Sequence, residues 1–479
     1  MPSPLDAALP ASAEIEALLT ASFGARTTIE RVEPLHHPWV LRAHLAETTG
    51  LPDTVVVKCR RPEGYGLRSA EELTRCEHAA LAFIADDLRL DLAPCLHAAS
   101  PDSRLLVLED LYPRTELAAL LHRDGHTAAL DAELTAFASS MGELAATSVG
   151  RATLFNARRT ALGTGADRLG DWEHAYAGLW RNGLARAAAF GVPLPAAAER
   201  DLETAVAELA DPGPFLALTN GDPESHNYLT GPSGGGKLID FEGAGFRHAL
   251  TAATSFTGPG PDWLGVSGPE QVEAFRRALA RTVPEAEDDQ RFGFGLASAS
   301  MVWVMTRTGR LKTLDARSPG DDSRTQMVAL LESGARTAEA HRVLPHLAAW
   351  CRSTATLLRR RWPDTDIDTA APYTWRERQG REPGGHRRSG TEDAHARPRT
   401  DPDCPGHCEI LRDTTQPEQP PSGGVPAADD AVARLAVDKI CLPPQVSTQC
   451  AATAVGFASV QPVADRLSLL PVVKQAGMP

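Results

Sequence analysis

The chain reads as an α+β protein: a small antiparallel β lobe, a larger and mainly helical lobe, and a polar tail. Three observations predict this. Short runs rich in β-branched residues, such as Thr54-Val-Val-Val-Lys58, fall before residue 110. Ala- and Leu-rich segments with helical spacing dominate from 111 to 365. From about Arg376 the sequence is polar, rich in Pro and Gly, and almost without apolar periodicity. Such a stretch buries too little surface to offset the entropy of ordering and reads as disordered. The expected divisions are 1–110, 111–365 and 366–479.

The elements follow in order. Ile15, Leu18, Leu19 and Phe23 share helical spacing over 13–23. Val40–Leu45 and Thr54–Lys58 read as strands, the second bounded by Pro52. Ser69 opens a helix to about Leu88, with Glu72 three places on as the second half of a capping box and Leu73, Ala80, Phe83 and Ile84 as its apolar stripe. Ala93–His97 and Leu105–Leu108 are further strands. Helices are then expected over roughly 130–148, 170–190, 197–210, 268–282, 295–309 and 326–360, interrupted by one strand-like region at 214–242. Met301-Val-Trp-Val-Met305 reads as buried helix core.

Composition narrows the function classes. Aromatics make up only 5% of the 479 residues, so the core must rest on Ala, Leu and Val. A formal net charge of −14 opposes non-specific nucleic-acid binding, which needs a basic footprint. The first residues lack a basic start followed by an apolar run, and no stretch approaches about 18 uninterrupted apolar residues. No signal peptide, membrane span or nucleic-acid partner is expected. Eight cysteines without a disulfide-like cadence suit reduced thiols in a cytoplasmic protein. In the tail, Cys404-Pro-Gly-His407-Cys408 offers too few ligands at regular spacing for a structural zinc site. A short helix near 430–440 and an apolar patch near 466–473 are the only patterned stretches there.

Near the middle stands Gly231-Pro-Ser-Gly-Gly-Gly-Lys237-Leu238, which spells a phosphate-binding P-loop except at its last place. A P-loop follows a strand and opens a helix. Here strand-like Asn227–Thr230 precedes, and Leu238-Ile239-Asp240-Phe241-Glu242 follows, so the glycines mark a hairpin. What the hairpin joins carries the chemistry. Before it lies Thr219-Asn-Gly-Asp222-Pro-Glu-Ser-His-Asn227, and after it Asp240. Asp222 and Asn227 keep the D-x-x-x-x-N spacing of phosphotransfer catalytic loops, and Asp240 stands where the second, metal-binding Asp belongs. Asp222 would orient or accept the proton of an attacking hydroxyl. Asn227 and Asp240 would offer oxygen ligands to Mg²⁺. His226, inside the loop, reads as solvent-facing.

N-G-D-x-x-x-x-N followed by L-I-D-F-E resembles the aminoglycoside phosphotransferase and choline kinase-like family, whose usual form begins H-G-D. The resemblance covers roughly residues 15–360 in architecture and is specific over 219–248. It implies the two-lobe protein kinase-like fold, with ATP between the lobes and Mg²⁺ as cofactors. It further implies that Lys58 meets the phosphates and Glu77, on the following helix, pairs with it. By the same resemblance Glu109 and Leu111 in Leu106-Val-Leu-Glu-Asp-Leu111 offer backbone groups to adenine. The implied activity is transfer of the γ-phosphate to a hydroxyl of a small molecule, aminoglycoside-like or another metabolite alcohol; a peptide Ser/Thr is a further acceptor class. The alternative is a kinase-like binding protein with little or no catalysis. Two departures support that alternative: Asn220 replaces the histidine, and Glu33-Pro-Leu-His-His-Pro-Trp39 has no glycine where a glycine-rich flap is expected.

Overall fold

A computed structural model describes residues 12–35, 39–46, 52–59, 68–164, 178–231, 235–259, 268–317 and 322–365, all within one unit of the chain, Met1–Gln416. The expected tail with its Cys404, His407 and Cys408 lies outside the described residues. So do 36–38 of the flap, 232–234 of the hairpin and the first part of the helix expected at 170–190.

Helix α1 (Ser12–Phe23) buries Ile15 and Leu19 against a five-stranded antiparallel sheet. The strands are β1 (Ile29–Pro34), β2 (Val40–Leu45), β3 (Thr54–Cys59), β4 (Leu96–Ser100) and β5 (Leu105–Glu109), in the order β1-β2-β3-β5-β4. Alternation in β2 and β3 is strict. Leu41, Ala43, Leu45, Val55, Val57 and Cys59 join α1 in one core, which leaves Val56 and Lys58 on the opposite face. Because Val40 pairs with Lys58 and Arg42 with Val56, Val40 and Arg42 share that face.

The sequence reading missed β1, an edge strand whose Glu30, Arg31 and Glu33 hide the strand signal behind charge. It also placed β4 too early. Residues before Leu96 form a connecting segment pinned from outside: Leu238 N–H donates to Leu92 O at 2.7 Å, and Cys95 N–H donates to the Glu109 carboxylate at 3.0 Å.

Helix α2 (Ala70–Ala82) opens with the expected capping box: Glu72 N–H donates to Ser69 Oγ, and Ser69 N–H donates to the Glu72 carboxylate. It runs on through a π-helical turn, Phe83–Leu88, that closes at left-handed Arg89. After β5 come β6 (Thr115–Glu116), α3 (Leu117–Asp124), α4 (Ala128–Ser148), α5 (Ala152–Ala161), α6 (Gly178–Ala189) and α7 (Ala196–Ala210). Strands β7 (Leu216–Thr219), β8 (Tyr228–Thr230), β9 (Lys237–Leu238) and β10 (Gly245–His248) form two small sheets: β7 pairs with β10, and β8 lies between β6 and β9. The chain then runs through α8 (Pro269–Ala280), α9 (Asp289–Thr308), α10 (Leu311–Asp315), α11 (Asp322–His341) and α12 (Pro345–Arg361).

The helix expected over 326–360 is therefore two. Pro345 sits at the first turn of α12, and Leu344 before it turns left-handed at φ 49°. Proline lacks the N–H a continuing helix needs and disfavours the helical region for its predecessor. Helix α9 is central: Met301, Val302, Val304 and Met305 are buried among residues of α11 and α12, as expected for helix core. No described helix is long and apolar enough to cross a membrane.

One ionisable group lies deep in this core. The His248 ring is fully buried, stacked on Phe215 at 5.1 Å between centroids, with Nε2 3.3 Å from Glu208 Oε1. Burial pushes its pKa below the usual histidine value, and Glu208 opposes that only partly. Burial lowers His78, His97 and His341 likewise. These rings bind protons less readily in the fold than in the unfolded chain. Their stability contribution is full above the unfolded value of about 6.5 and is lost as pH falls below it. Urea unfolding midpoints are expected to drop between about pH 7.5 and pH 5.5, where carboxylates titrate little; a flat or rising midpoint contradicts this.

Candidate active site

The site begins where β3 meets α2. Lys58 emerges on the face of the sheet away from α1, and its ammonium reaches three carboxylates. Glu77 Oε1 lies at 2.9 Å, Asp240 Oδ1 makes a short contact, and Glu242 Oε2 lies at 3.9 Å. Glu77 is 1% exposed, so its charge depends on that ammonium. The same Oε1 accepts from Phe241 N–H at 3.4 Å, tying α2 to the segment after β9. Two more α2-side groups reinforce the tie: Cys76 Sγ donates to Ala244 O at 3.0 Å, and the Arg68 guanidinium reaches the carbonyls of Glu242 and Ala244 at 3.5 Å.

The loop between β7 and β8 presents Asp222. Asn227 Nδ2 donates to Asp222 Oδ2 at 2.9 Å and to its carbonyl at 3.0 Å; Asn220 Nδ2 donates to the same carbonyl at 2.7 Å. Two amides thus fix one aspartate. Gly221 precedes it at φ 87°, and a Cβ there would collide with the Gly243 carbonyl. Arg247 holds this approach: it donates to Thr219 Oγ1 at 3.0 Å and to Gly243 O at 2.8 Å. His226, expected to face solvent, is instead half-buried with Nε2 3.4 Å from Asp222 Oδ2. Its position one residue before Asn227, within the fold-back, brings it there.

Strands β8 and β9 form the expected hairpin, with Tyr228 opposite Leu238. Ile239 N–H donates to Asn227 O at 2.9 Å, which carries Asp240 to the Asn227 side of the loop. Asp240 itself adopts φ 61°, a left-handed backbone uncommon for a non-glycine residue. Lys237, the P-loop-like lysine, is 5% exposed and engages Asp91 and, at 3.4 Å, the Ala93 carbonyl. It staples the hairpin to the segment before β4.

Glu109 and Leu111 flank the connection between the sheet and the helices. Glu109 N–H donates to Cys95 O at 2.8 Å, and Leu111 O accepts from Arg114 N–H at 2.9 Å. Between them Asp110, which the sequence reading passed over, binds Arg42 of β2 at two points. Only strand register could have indicated that pairing.

An oxygen-only donor set suits a hard divalent cation. Asn227 spends its amide nitrogen on Asp222, so its amide oxygen is the end a cation can reach. Asp240 contributes a carboxylate. The trio Glu77, Asp240 and Glu242 also lies within reach of one ion, but the Lys58 ammonium already contacts all three. The sequence pattern points to Asn227 and Asp240 for such an ion, and both offer oxygen donors.

No protein-family model matches the chain, and no curated protein matches it. Among solved structures it is similar to choline kinase LicA from Streptococcus pneumoniae, with 13% identity and TM-score 0.38, over 67% of this chain and 99% of that one. It is similar to a choline/ethanolamine kinase family protein from Mesorhizobium loti, with 18% identity and TM-score 0.37, over 71% and 99%. Macrolide 2'-phosphotransferase MphH from Brachybacterium faecium aligns with 17% identity and TM-score 0.37, over 66% and 98%.

The geometry separates two glycines that both carry positive φ. Gly221 is crowded by Gly243, whereas Gly235, at φ 69°, has nothing within 4 Å of a built Cβ. Gly221→Ala is expected to cost about 2–5 kcal/mol in urea unfolding through strain plus collision. Gly235→Ala should cost only about 1 kcal/mol. Equal costs would mean that the close approach of the two loops does not exist in solution.

Proposed function

We propose that the chain is an ATP- and Mg²⁺-dependent phosphotransferase that moves the γ-phosphate to a hydroxyl of a small molecule. The observation that carries this reading is the convergence of Lys58, held by Glu77, with the Asp222–Asn227 pair and Asp240 across one hairpin. Phosphoryl transfer asks little covalent help of a protein; it asks for position and for neutralised phosphate charge. Lys58 supplies a fixed cation for the phosphates. Asn227 and Asp240 would hold Mg²⁺, which supplies charge neutralisation at the phosphate oxygens.

Asp222 receives the proton. As the acceptor oxygen bonds to the γ-phosphorus, the bond from that phosphorus to the β–γ bridging oxygen breaks, ADP leaves, and the acceptor proton passes to the Asp222 carboxylate. The two amide donors on Asp222 fix its orientation for that transfer. Glu109 and Leu111 are assigned the base end by their place in the connection. The acceptor is a small alcohol, such as an amino sugar or amino alcohol.

Asp222→Asn keeps the shape of the loop but removes the proton acceptor. It is expected to lower turnover by roughly 10²–10⁴-fold while ATP still raises the melting temperature. Turnover is read as ADP release across a panel of amino sugars, amino alcohols and short Ser/Thr peptides. ATP binding with no consumption on any acceptor would favour the binding-protein alternative that the glycine-free flap suggests. Lys237→Met should lower stability through loss of its Asp91 contact yet leave ATP affinity unchanged. Loss of nucleotide binding there would instead support a P-loop.

A further inference from the structure

The face of the sheet that carries Lys58 also carries a feature that phosphate chemistry leaves unused. Arg42 stands opposite Val56, two residues back along β3 from Lys58, a shift of about 7 Å at the usual strand rise. That shift runs toward the connection between sheet and helices, because Val55 pairs with Glu109, the last residue of β5. Arg42 is fixed there. Its Nε donates to Asp110 Oδ2 at 2.6 Å, one terminal nitrogen donates to Asp110 Oδ1 at 3.2 Å, and the other donates to Glu33 at 3.3 Å.

The guanidinium lies 5.1 Å from the centroid of the Tyr112 ring. Asp110 Oδ1 also accepts from Tyr112 N–H at 3.1 Å, so backbone and ring are both held. Yet Tyr112 is 74% exposed, the most exposed large hydrophobic side chain among the described residues. A held aromatic ring with most of its surface exposed, beside Arg42 on the face of the sheet that carries Lys58, offers a surface on which a planar group can stack.

We infer that the nucleotide base stacks on Tyr112 and that Arg42 is the residue positioning that ring. The inference rests on the phosphotransferase reading above. Three of the five N–H groups of Arg42 are spent on Asp110 and Glu33, so it serves to hold the ring rather than to read the base. Every base offers a π-face, so the contact should serve adenine and guanine alike.

Calorimetric titration of the full chain tests this with MgATP, MgGTP and magnesium tripolyphosphate, on the natural protein, Tyr112→Ala and Tyr112→Phe. Tyr112→Ala is expected to weaken both nucleotides about tenfold and to leave tripolyphosphate unchanged, while Tyr112→Phe binds as the natural protein does. Because the side chain is exposed, unfolding midpoints should not move. Unchanged nucleotide affinity in Tyr112→Ala overturns the assignment of Tyr112 alone, even if the acceptor KM rises. Equal loss for tripolyphosphate also overturns it, since a stacking contact cannot act on a ligand without a base. If the natural protein binds none of the three, the phosphotransferase reading falls, and this inference falls with it.

Discussion

The Lys58 ammonium is the constraint on which the site depends. It joins three pieces of chain that share no strand or helix: β3, which carries it; α2, which carries Glu77; and the segment after β9, which carries Asp240 and Glu242. Glu77 is buried, and a buried carboxylate stripped of its cation costs about 3–5 kcal/mol. The ion pair therefore fixes where α2 sits as firmly as apolar contacts do. Cys76 and Arg68 extend the same attachment to the Ala244 carbonyl. A site assembled in this way registers any displacement of α2 as a displacement of Lys58.

Around that constraint, backbone geometry does what side chains alone cannot. Gly221 lets the loop pass against Gly243, Arg247 bridges both loops, and Asp240 turns left-handed where the hairpin ends. Asn220 works within this frame: its nitrogen grips the Asp222 carbonyl. Its Oδ1 is buried without a hydrogen-bond partner among the described residues, an arrangement that costs about 1–3 kcal/mol. The loop thus keeps its form through the Asn220 amide, at reduced polar satisfaction.

Much of this was legible in the sequence. A run of β-branched residues identified β3, the Ser69–Glu72 pair marked the start of α2, and the flanks of the Gly-rich stretch distinguished a hairpin from a P-loop. Spacing pointed to Asp222, Asn227 and Asp240, and the family resemblance pointed to a Lys58–Glu77 ion pair, which the structure contains. What escaped depends on partners distant in sequence. β1 is an edge strand whose charges pair across to Arg42 and His44, so its own residues carry no apolar pattern. Arg42 and Asp110 meet only once β2, β3 and β5 are in register. His226 was judged by its neighbours along the chain, whereas its place beside Asp222 follows from the fold-back of the loop.

The central claim is that Asn227 and Asp240 hold a divalent ion against a triphosphate that Lys58 also contacts. The most direct test is anomalous diffraction from crystals grown with Mn²⁺ and a non-hydrolysable ATP analogue. The account predicts a manganese peak bonded to the Asn227 amide oxygen and the Asp240 carboxylate, with the Lys58 ammonium moved from Asp240 to a phosphate oxygen. A nucleotide bound elsewhere, or an ordered triphosphate with no manganese at these two residues, would contradict it.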